Sequence, residues 1–317
     1  MGIRCFEFYD HPVLSLDRIR SAAARARPHV LHSPLVPLNS STWLKLECLQ
    51  PTGSFKVRGF FARALQLSAA DRSRGLITVS AGNAAQACAY VANRLEVSCR
   101  VVMYETAPAA KIEGVRSWGA VPRLMPRDEV LAWMAGHGWE KDPEFFIHPF
   151  ADAEVMAGHG GIGLELSEDL PAARRVVVPA GGGGLIGGIA SALKALDPSI
   201  EVVGVQSDGY PSWTASLASG QPATLAPATI ADGTTAPVDP GQLALMAEVV
   251  DRWITVPEGR LRPAIAELAA RAHVLAEGAG VLAYAALDQL EPGVPTVVVV
   301  SGGNIDRRLL ADILAAT

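Results

Sequence analysis

Blocks of like charge are missing from this chain. Its net charge of −5 over 317 residues comes from intermixed signs, so neither a nucleic-acid backbone nor an anionic membrane surface is an expected partner, and small-molecule chemistry is the better expectation. Cysteine is scarce. Cys5, Cys48, Cys88 and Cys99 are scattered, with no CxxC and no histidine at ligand spacing, which argues against a zinc site or a disulfide framework and fits a reducing cytoplasm. Long apolar runs are also missing. The opening "MGIRCFEFYDHPVLSLDR" has no signal-peptide core, and "RVVVPA" and "TVVVVSGG" have the length of a strand rather than of a membrane span. The sequence therefore reads as a soluble intracellular protein. It has no repeat period and no low-complexity segment.

What is present is enough apolar residue, 50% against 19% charged, to bury a large core in two domains or one large α/β unit. Short β-branched runs alternate with alanine-rich stretches: "GLITVS" with "NAAQACAYVANRL", "SCRVVMY" with "AAKIEGVRSWG", "RRVVVPA" with "LIGGIASALKAL", and "IEVVGVQ" with "YPSWTASLASG". This predicts βα units around parallel sheets, whose strands, buried on both faces, read as continuous apolar runs. Residues 219–242, rich in Pro, Gly, Thr and Ala, are expected to form a long loop.

Open α/β sheets bind ligands at the carboxyl ends of their strands, so the strand-to-helix turns are where chemistry is sought. In "PAGGGGLIGG" (179–188) four glycines between strand and helix leave backbone N–H groups uncovered, and the helix start adds positive potential, which suits a phosphate. Gly182, Gly184 and Gly187 also satisfy G-x-G-x-x-G, so a nicotinamide site is an alternative, although Gln206 stands where a ribose-binding acid is expected. A tight structural turn is the bland reading. "TVSAGNAAQ" (78–86) places Ser80, Gly82 and Asn83 at a helix start, as a carboxylate cradle or as an ordinary N-cap. "VVVVSGGNIDR" (297–307) brings Ser301 out of an apolar strand, to bond a ligand heteroatom or to cap a turn. Finally, "PTGSFKVRGF" (51–60) sets Lys56 among Gly53, Ser54, Phe55 and Gly59. Alone it reads as a surface cation. Beside a phosphate nest, a carboxylate cradle and a hydroxyl, it supplies a group that bonds covalently to an aldehyde.

Taken together, "PTGSFKVRG", "SAGNAAQ", "PAGGGGLIGG", "TIADGT", "EGAG" (277–280) and "SGGNID" resemble, in order and spacing, the pyridoxal-phosphate enzymes of fold type II, the tryptophan synthase β-like fold. They look most like the serine/threonine dehydratase (ammonia-lyase) branch, which includes serine racemase. The resemblance runs from about residue 30 onward. It implies a large coenzyme-binding domain of residues 1–74 and 150–317, a small domain of residues 75–149 that takes the substrate carboxylate, and a homodimer. It implies that Lys56 anchors pyridoxal 5'-phosphate covalently and serves as the catalytic base, with Phe55 beside the ring. Gly181, Gly182, Gly183, Gly184 and Leu185 would hold the phosphate, Asn83 the phenolic oxygen, and Ser301 would face the pyridine nitrogen. Substrate would be received by Ser54, Ser80, Ala81, Gly82, Asn83 and Ala84. The implied activity is loss of water and ammonia from an L-β-hydroxy amino acid, such as threonine, serine or a bulkier 3-hydroxy analogue. Ala81 stands where racemases of the family carry serine, which disfavours racemisation, and Ala84 where many dehydratases carry histidine. Gln206 and Ser212 replace acidic residues of the family's divalent-cation site, so no such metal is expected. No appended regulatory domain is expected after "SGGNIDRRLLADILAAT". A β-replacement synthase or racemase on the same scaffold, and a non-catalytic coenzyme-binding protein, stay as alternatives.

Overall fold

The computed structural model describes residues 14–316; residues 1–13, Cys5 among them, and residue 317 lie outside the described part. The strands in chain order are β1 (Leu35–Pro37), β2 (Thr42–Leu46), β3 (Leu76–Val79), β4 (Cys99–Tyr104), β5 (Val121–Met125), β6 (Phe145–Phe146), β7 (Arg175–Pro179), β8 (Glu201–Ser207), β9 (Arg252–Val256) and β10 (Thr296–Val300). They form a six-stranded sheet of order β1-β2-β10-β7-β8-β9 and a four-stranded sheet of order β5-β4-β3-β6. Among these strands only the β1–β2 pairing is antiparallel.

The four βα units read from the sequence are all present. β3 leads into the helix Asn83–Arg94, β4 into Ala109–Arg116, β7 into Gly184–Leu196 and β8 into Ser212–Ser219. Every residue of β7 and of β10 is buried, as helices on both faces of a parallel sheet require. Residues 219–242 are mostly irregular, with short helical turns at Asp232–Thr234 and Pro240–Gln242.

One helix not read from the sequence organises the main core. Ala153–Asp169 packs against Leu16–Ala26, Lys56–Gln66 and Gly184–Leu196. Glycine makes this approach possible: a Cβ on Gly158 would stand 2.8 Å from the Arg58 carbonyl oxygen, and one on Gly163 2.9 Å from that of Ile189. Lys56 and Gly184 are each the first residue of their helix, so both helix starts are fixed against a common partner.

A buried ion network ties the Lys56 helix to β2. Arg58 donates to both Glu47 (2.8 Å) and Glu165 (2.7 Å), and the fully buried Lys45 meets Glu165 at 2.7 Å and the Ser33 carbonyl at 2.8 Å. Buried charges persist only when paired in this way. Cys88 and Cys99, remote from any ligand spacing in the sequence, bring their sulfurs to 3.7 Å as free, buried thiols.

Candidate active site

Backbone contacts join the first and last of the four turns. Phe55 N–H donates to the Ser301 carbonyl (3.1 Å), Gly303 N–H to that of Gly53 (2.9 Å), and Ser54 bridges Gly302. Ser54 is fully buried and its hydroxyl has no hydrogen-bond partner among the described residues. Ser301 is 4% exposed. Lys56 Nζ donates to the Pro149 carbonyl at 2.7 Å and lies 5.1 Å from the centre of the Phe55 ring. Burial lowers its pKa to about 8, because the charged form loses water without gaining a carboxylate. The Pro149 segment is itself shaped by His148, whose Nδ1 accepts from the N–H groups of Phe150 (3.3 Å) and Ala151 (2.8 Å). Burial and then the charge of Lys56 drive the pKa of His148 down to about 3, so it stays neutral.

The glycine turn admits no side chains. A Cβ on Gly181 would stand 2.9 Å from Thr234 Cα, and one on Gly184 2.8 Å from the Phe150 carbonyl oxygen; one on Gly182 would enter the Phe150 ring. Gly183 has φ of +89° and faces Gln242, Trp213 and Met246, so glycine is required there twice over. Leu185, the next helical residue, is buried. Phe150 thus joins the glycine turn to the segment that holds Lys56.

The turn after β3 is built differently. Ser80 Oγ accepts from Gly82 N–H at 3.0 Å, a Cβ on Gly82 would meet nothing within 4 Å, and Ala81 is half-buried against the core. Ala84 is 4% exposed and packed in the core cluster. Asn83 crosses to the larger sheet: its Nδ2 donates to Glu277 Oε1 at 2.5 Å, and its Oδ1 accepts from Asn304 Nδ2 at 2.7 Å. Asn304 also reaches the Thr52 carbonyl at 2.8 Å. Burial raises the pKa of Glu277 to about 7, against the Asn83 hydrogen bond, which lowers it. Nearby, Lys111 Nζ meets Asp232 at 2.7 Å.

Comparison with known proteins decides between the coenzymes that the glycine turn allows. The family model described as "Pyridoxal-phosphate dependent enzyme" matches residues 26–302. The chain belongs to this family. An L-threonine ammonia-lyase of Thermotoga maritima is 39% identical over 316 residues, covering 95% of this chain and 78% of the relative. The L-threonine dehydratase catabolic TdcB of Staphylococcus aureus is 36% identical over 313 residues, covering 93% and 90%. Among solved structures, maize serine racemase superposes with a TM-score of 0.89 at 29% identity over 96% of this chain and 98% of the other. The processed form of threonine deaminase isoform 2 from Solanum lycopersicum superposes with 0.86 at 29% identity over 99% and 92%.

The site fits the coenzyme of a pyridoxal-phosphate dependent enzyme. A turn whose four glycines exclude side chains at a helix start suits a phosphate, and a half-buried amine with lowered pKa suits an aldehyde. The nicotinamide alternative falls with the family assignment. Gln206 is occupied structurally: its Nε2 donates to Ser212 Oγ (3.0 Å) and to the Ala180 carbonyl (3.3 Å), and its Oε1 accepts from Trp213 N–H (2.9 Å). Asp208 accepts from Glu258 N–H at 2.8 Å.

Several residues of the site were not singled out by sequence reasoning. Glu277 and Asn304 lie inside "EGAG" and "SGGNID", so their turns carried the signal even though their bonds to Asn83 did not. Pro149, Phe150, His148 and His159 gave no periodic or turn signal. His159, fully buried, stacks edge-on against Phe55 at 4.7 Å and donates from Nδ1 to the Gly184 carbonyl at 3.3 Å.

Proposed function

We propose that this pyridoxal-phosphate dependent enzyme is an ammonia-lyase that converts an L-β-hydroxy amino acid, such as threonine, serine or a bulkier 3-hydroxy analogue, to a 2-oxo acid and ammonia. The observation that carries the reading is Lys56: a half-buried amine with pKa of about 8 and, among the described residues, no carboxylate partner, set where the glycine turn and two hydroxyl-bearing turns converge. The coenzyme supplies, when bound, an electron sink for charge developing at the substrate Cα.

Lys56 Nζ would hold the coenzyme's aldehyde at rest and would serve as the base for the substrate Cα proton; a pKa of about 8 keeps a useful fraction unprotonated near neutrality. Ser80 and the N–H groups of residues 81–84, at the start of the Asn83–Arg94 helix, receive the substrate carboxylate, and Ser54 lines the same region. Asn83, its amide held by Glu277 and Asn304, would bind the coenzyme's phenolic oxygen. Ser301 would face the pyridine nitrogen, and Phe55 would flank the ring. Gly181 to Gly184 and Leu185 would hold the phosphate. Ala81 has no titratable group, so no proton is returned from the face opposite Lys56; this favours elimination over racemisation. Loss of the β-hydroxyl leaves an enamine, which hydrolyses to oxo acid and ammonia, so one water leaves and one returns.

The two sheets support a division into a large domain (residues 1–74 and 150–317) and a small one (75–149), with the small one closing over substrate through Asn83 and Lys111. The free buried thiols Cys48, Cys88 and Cys99 support a reducing cytoplasmic setting, and no helix among the described residues is long and apolar enough to cross a membrane. Family likeness supports a homodimer. The test is incubation of purified protein with threonine, serine and phenylserine, measuring oxo acid and ammonia, alongside borohydride reduction and peptide mapping. The expected result is turnover of at least one substrate, with the reduced adduct on Lys56 and both lost in Lys56→Ala. An adduct without turnover sinks the substrate assignment, and an adduct elsewhere sinks the mechanism.

A further inference from the structure

Peptide units between glycines rotate with little steric resistance. In a phosphate-binding turn such a rotation is damaging, since it replaces an N–H with a carbonyl oxygen where the anion sits. The turn at 181–184 therefore needs something to hold its carbonyls. Gly183 is held by its own helix, accepting from Gly187 N–H at 2.8 Å. Gly184, the first residue of that helix, is likewise held within it and takes a second donor from outside, whereas the Gly181 carbonyl is held from outside alone. The Gly181 carbonyl accepts from Trp213 Nε1 at 2.5 Å, and the Gly184 carbonyl accepts from His159 Nδ1 at 3.3 Å.

Both donors are built into place. Trp213 is fully buried, stacks on Trp253 at 5.7 Å, and has its own backbone N–H bound by Gln206. His159 is fully buried on the helix that joins Lys56–Gln66 to Gly184–Leu196, with Gly59 leaving room for its ring. The Gly184 carbonyl at Nδ1 can only accept, so this contact places a proton of the neutral ring on Nδ1. Burial, and then the charge of Lys56, keep this imidazole neutral. Among the described residues no N–H of residues 182–185 donates to a backbone carbonyl, which is the expected state of a helix start kept for a ligand.

We infer that Trp213 and His159 are positioning residues of the coenzyme site: their N–H groups pin the carbonyls of Gly181 and Gly184 and so keep N–H groups, not carbonyl oxygens, presented at the start of the Gly184–Leu196 helix. The inference rests on the coenzyme reading above and concerns only its phosphate. A pinned turn gains affinity for pyridoxal phosphate and nothing for pyridoxal, which lacks the phosphate, whereas a merely structural role affects both alike.

The experiment is equilibrium binding of pyridoxal phosphate and of pyridoxal to the coenzyme-free parent and to Trp213→Phe, His159→Leu and His159→Gln, with melting temperatures beside them. Trp213→Phe is expected to weaken pyridoxal phosphate at least about tenfold, the loss expected when a buried carbonyl is left unpaired, and His159→Leu, which leaves Gly184 its helical donor, about fivefold, with pyridoxal changed by less than about twofold in both. His159→Gln, whose amide still donates, is expected to recover most of the loss. If Trp213→Phe fails to fold, the two His159 variants decide alone. Parallel weakening of both ligands, or no weakening, overturns the pinning. A parent protein with no preference for the phosphorylated form overturns the coenzyme reading as well, so the two failures are told apart.

Discussion

The turn after β7 and the turn after β3 perform the same local manoeuvre, a strand running into a helix through small residues, yet they are finished in opposite ways. At 181–184 every missing side chain is matched by a neighbour that leaves no room for one, and three of the four carbonyls have donors. At Gly82 the space beyond the backbone is empty, and the turn's fixed points are one Ser80 hydroxyl and the Asn83 amide. The contrast matches the roles proposed for the two turns. A coenzyme that stays bound through many turnovers would suit a rigid cradle, whereas a substrate that enters and leaves would need open ground, and a helix start offers N–H groups to either.

The sharpest way to break the contrast is to add one methyl group on each side of it. Gly183→Ala must adopt a positive φ and push against Gln242 and Trp213, so it is expected to cost about 3–5 kcal/mol of stability from backbone strain and overpacking and to strip the protein of coenzyme, read by calorimetric melting and by absorbance after dialysis. A parent-like melt would show the cradle to be softer than its packing implies.

The second effect lies at the seam between the two turns, in Glu277. Its pKa is near 7 in the folded protein against 4.5 in the open chain, so the folded state holds a proton that the unfolded state has released. That contribution is fully present below pH 4.5 and is lost as pH rises through 7. It amounts to on the order of 3 kcal/mol between these limits. His148, neutral down to about pH 3, acts in the opposite sense as pH falls below the ordinary imidazole value, so the term is read as the difference between the coenzyme-free parent and Glu277→Gln in urea melts across this range. A difference that stays flat with pH would mean that Glu277 is ionised throughout.

The smallest effect belongs to the open side. Gly82→Ala is expected to melt within about 0.5 kcal/mol of the parent, since its Cβ meets nothing. Its KM for the best β-hydroxy substrate should nonetheless rise about tenfold with kcat little changed, the mark of ground-state binding being lost. A fall in kcat instead would place Gly82 in the chemistry rather than in substrate capture.

The four βα units and the chemistry-bearing turns were legible in the sequence because each depends on neighbours in the chain: β-branched runs before "NAAQ" or "GGGGLIGG" set strand, turn and helix with no remote partner. The helix Ala153–Asp169 was not, since its apolar and glycine positions face three other helices and leave no one-sided stripe to read. For the same reason the roles of His159, Phe150 and Pro149 were invisible. A histidine becomes a donor to Gly184 only when two segments 25 residues apart meet, and a carbonyl that holds Lys56 has no residue type at all. Asn83 was singled out for a ligand; that its amide is also gripped by Glu277 and Asn304, 194 and 221 residues away, is a fact of topology.

β10 lies between β2 and β7 in the larger sheet, and the residues that follow it are laced to the Lys56 loop through Phe55, Ser54 and Gly53. A chain emerging from the ribosome therefore makes its reactive lysine early and must wait for residues 296–303 before the pocket around that lysine exists. Until then the sheet has a gap at its centre, and closing it joins positions as far apart as Thr42 and Thr296, a long loop to close before any contact rewards it. Capture of coenzyme must thus await the synthesis of β10, and a ribosome stalled before it would carry Lys56 without the means to use it.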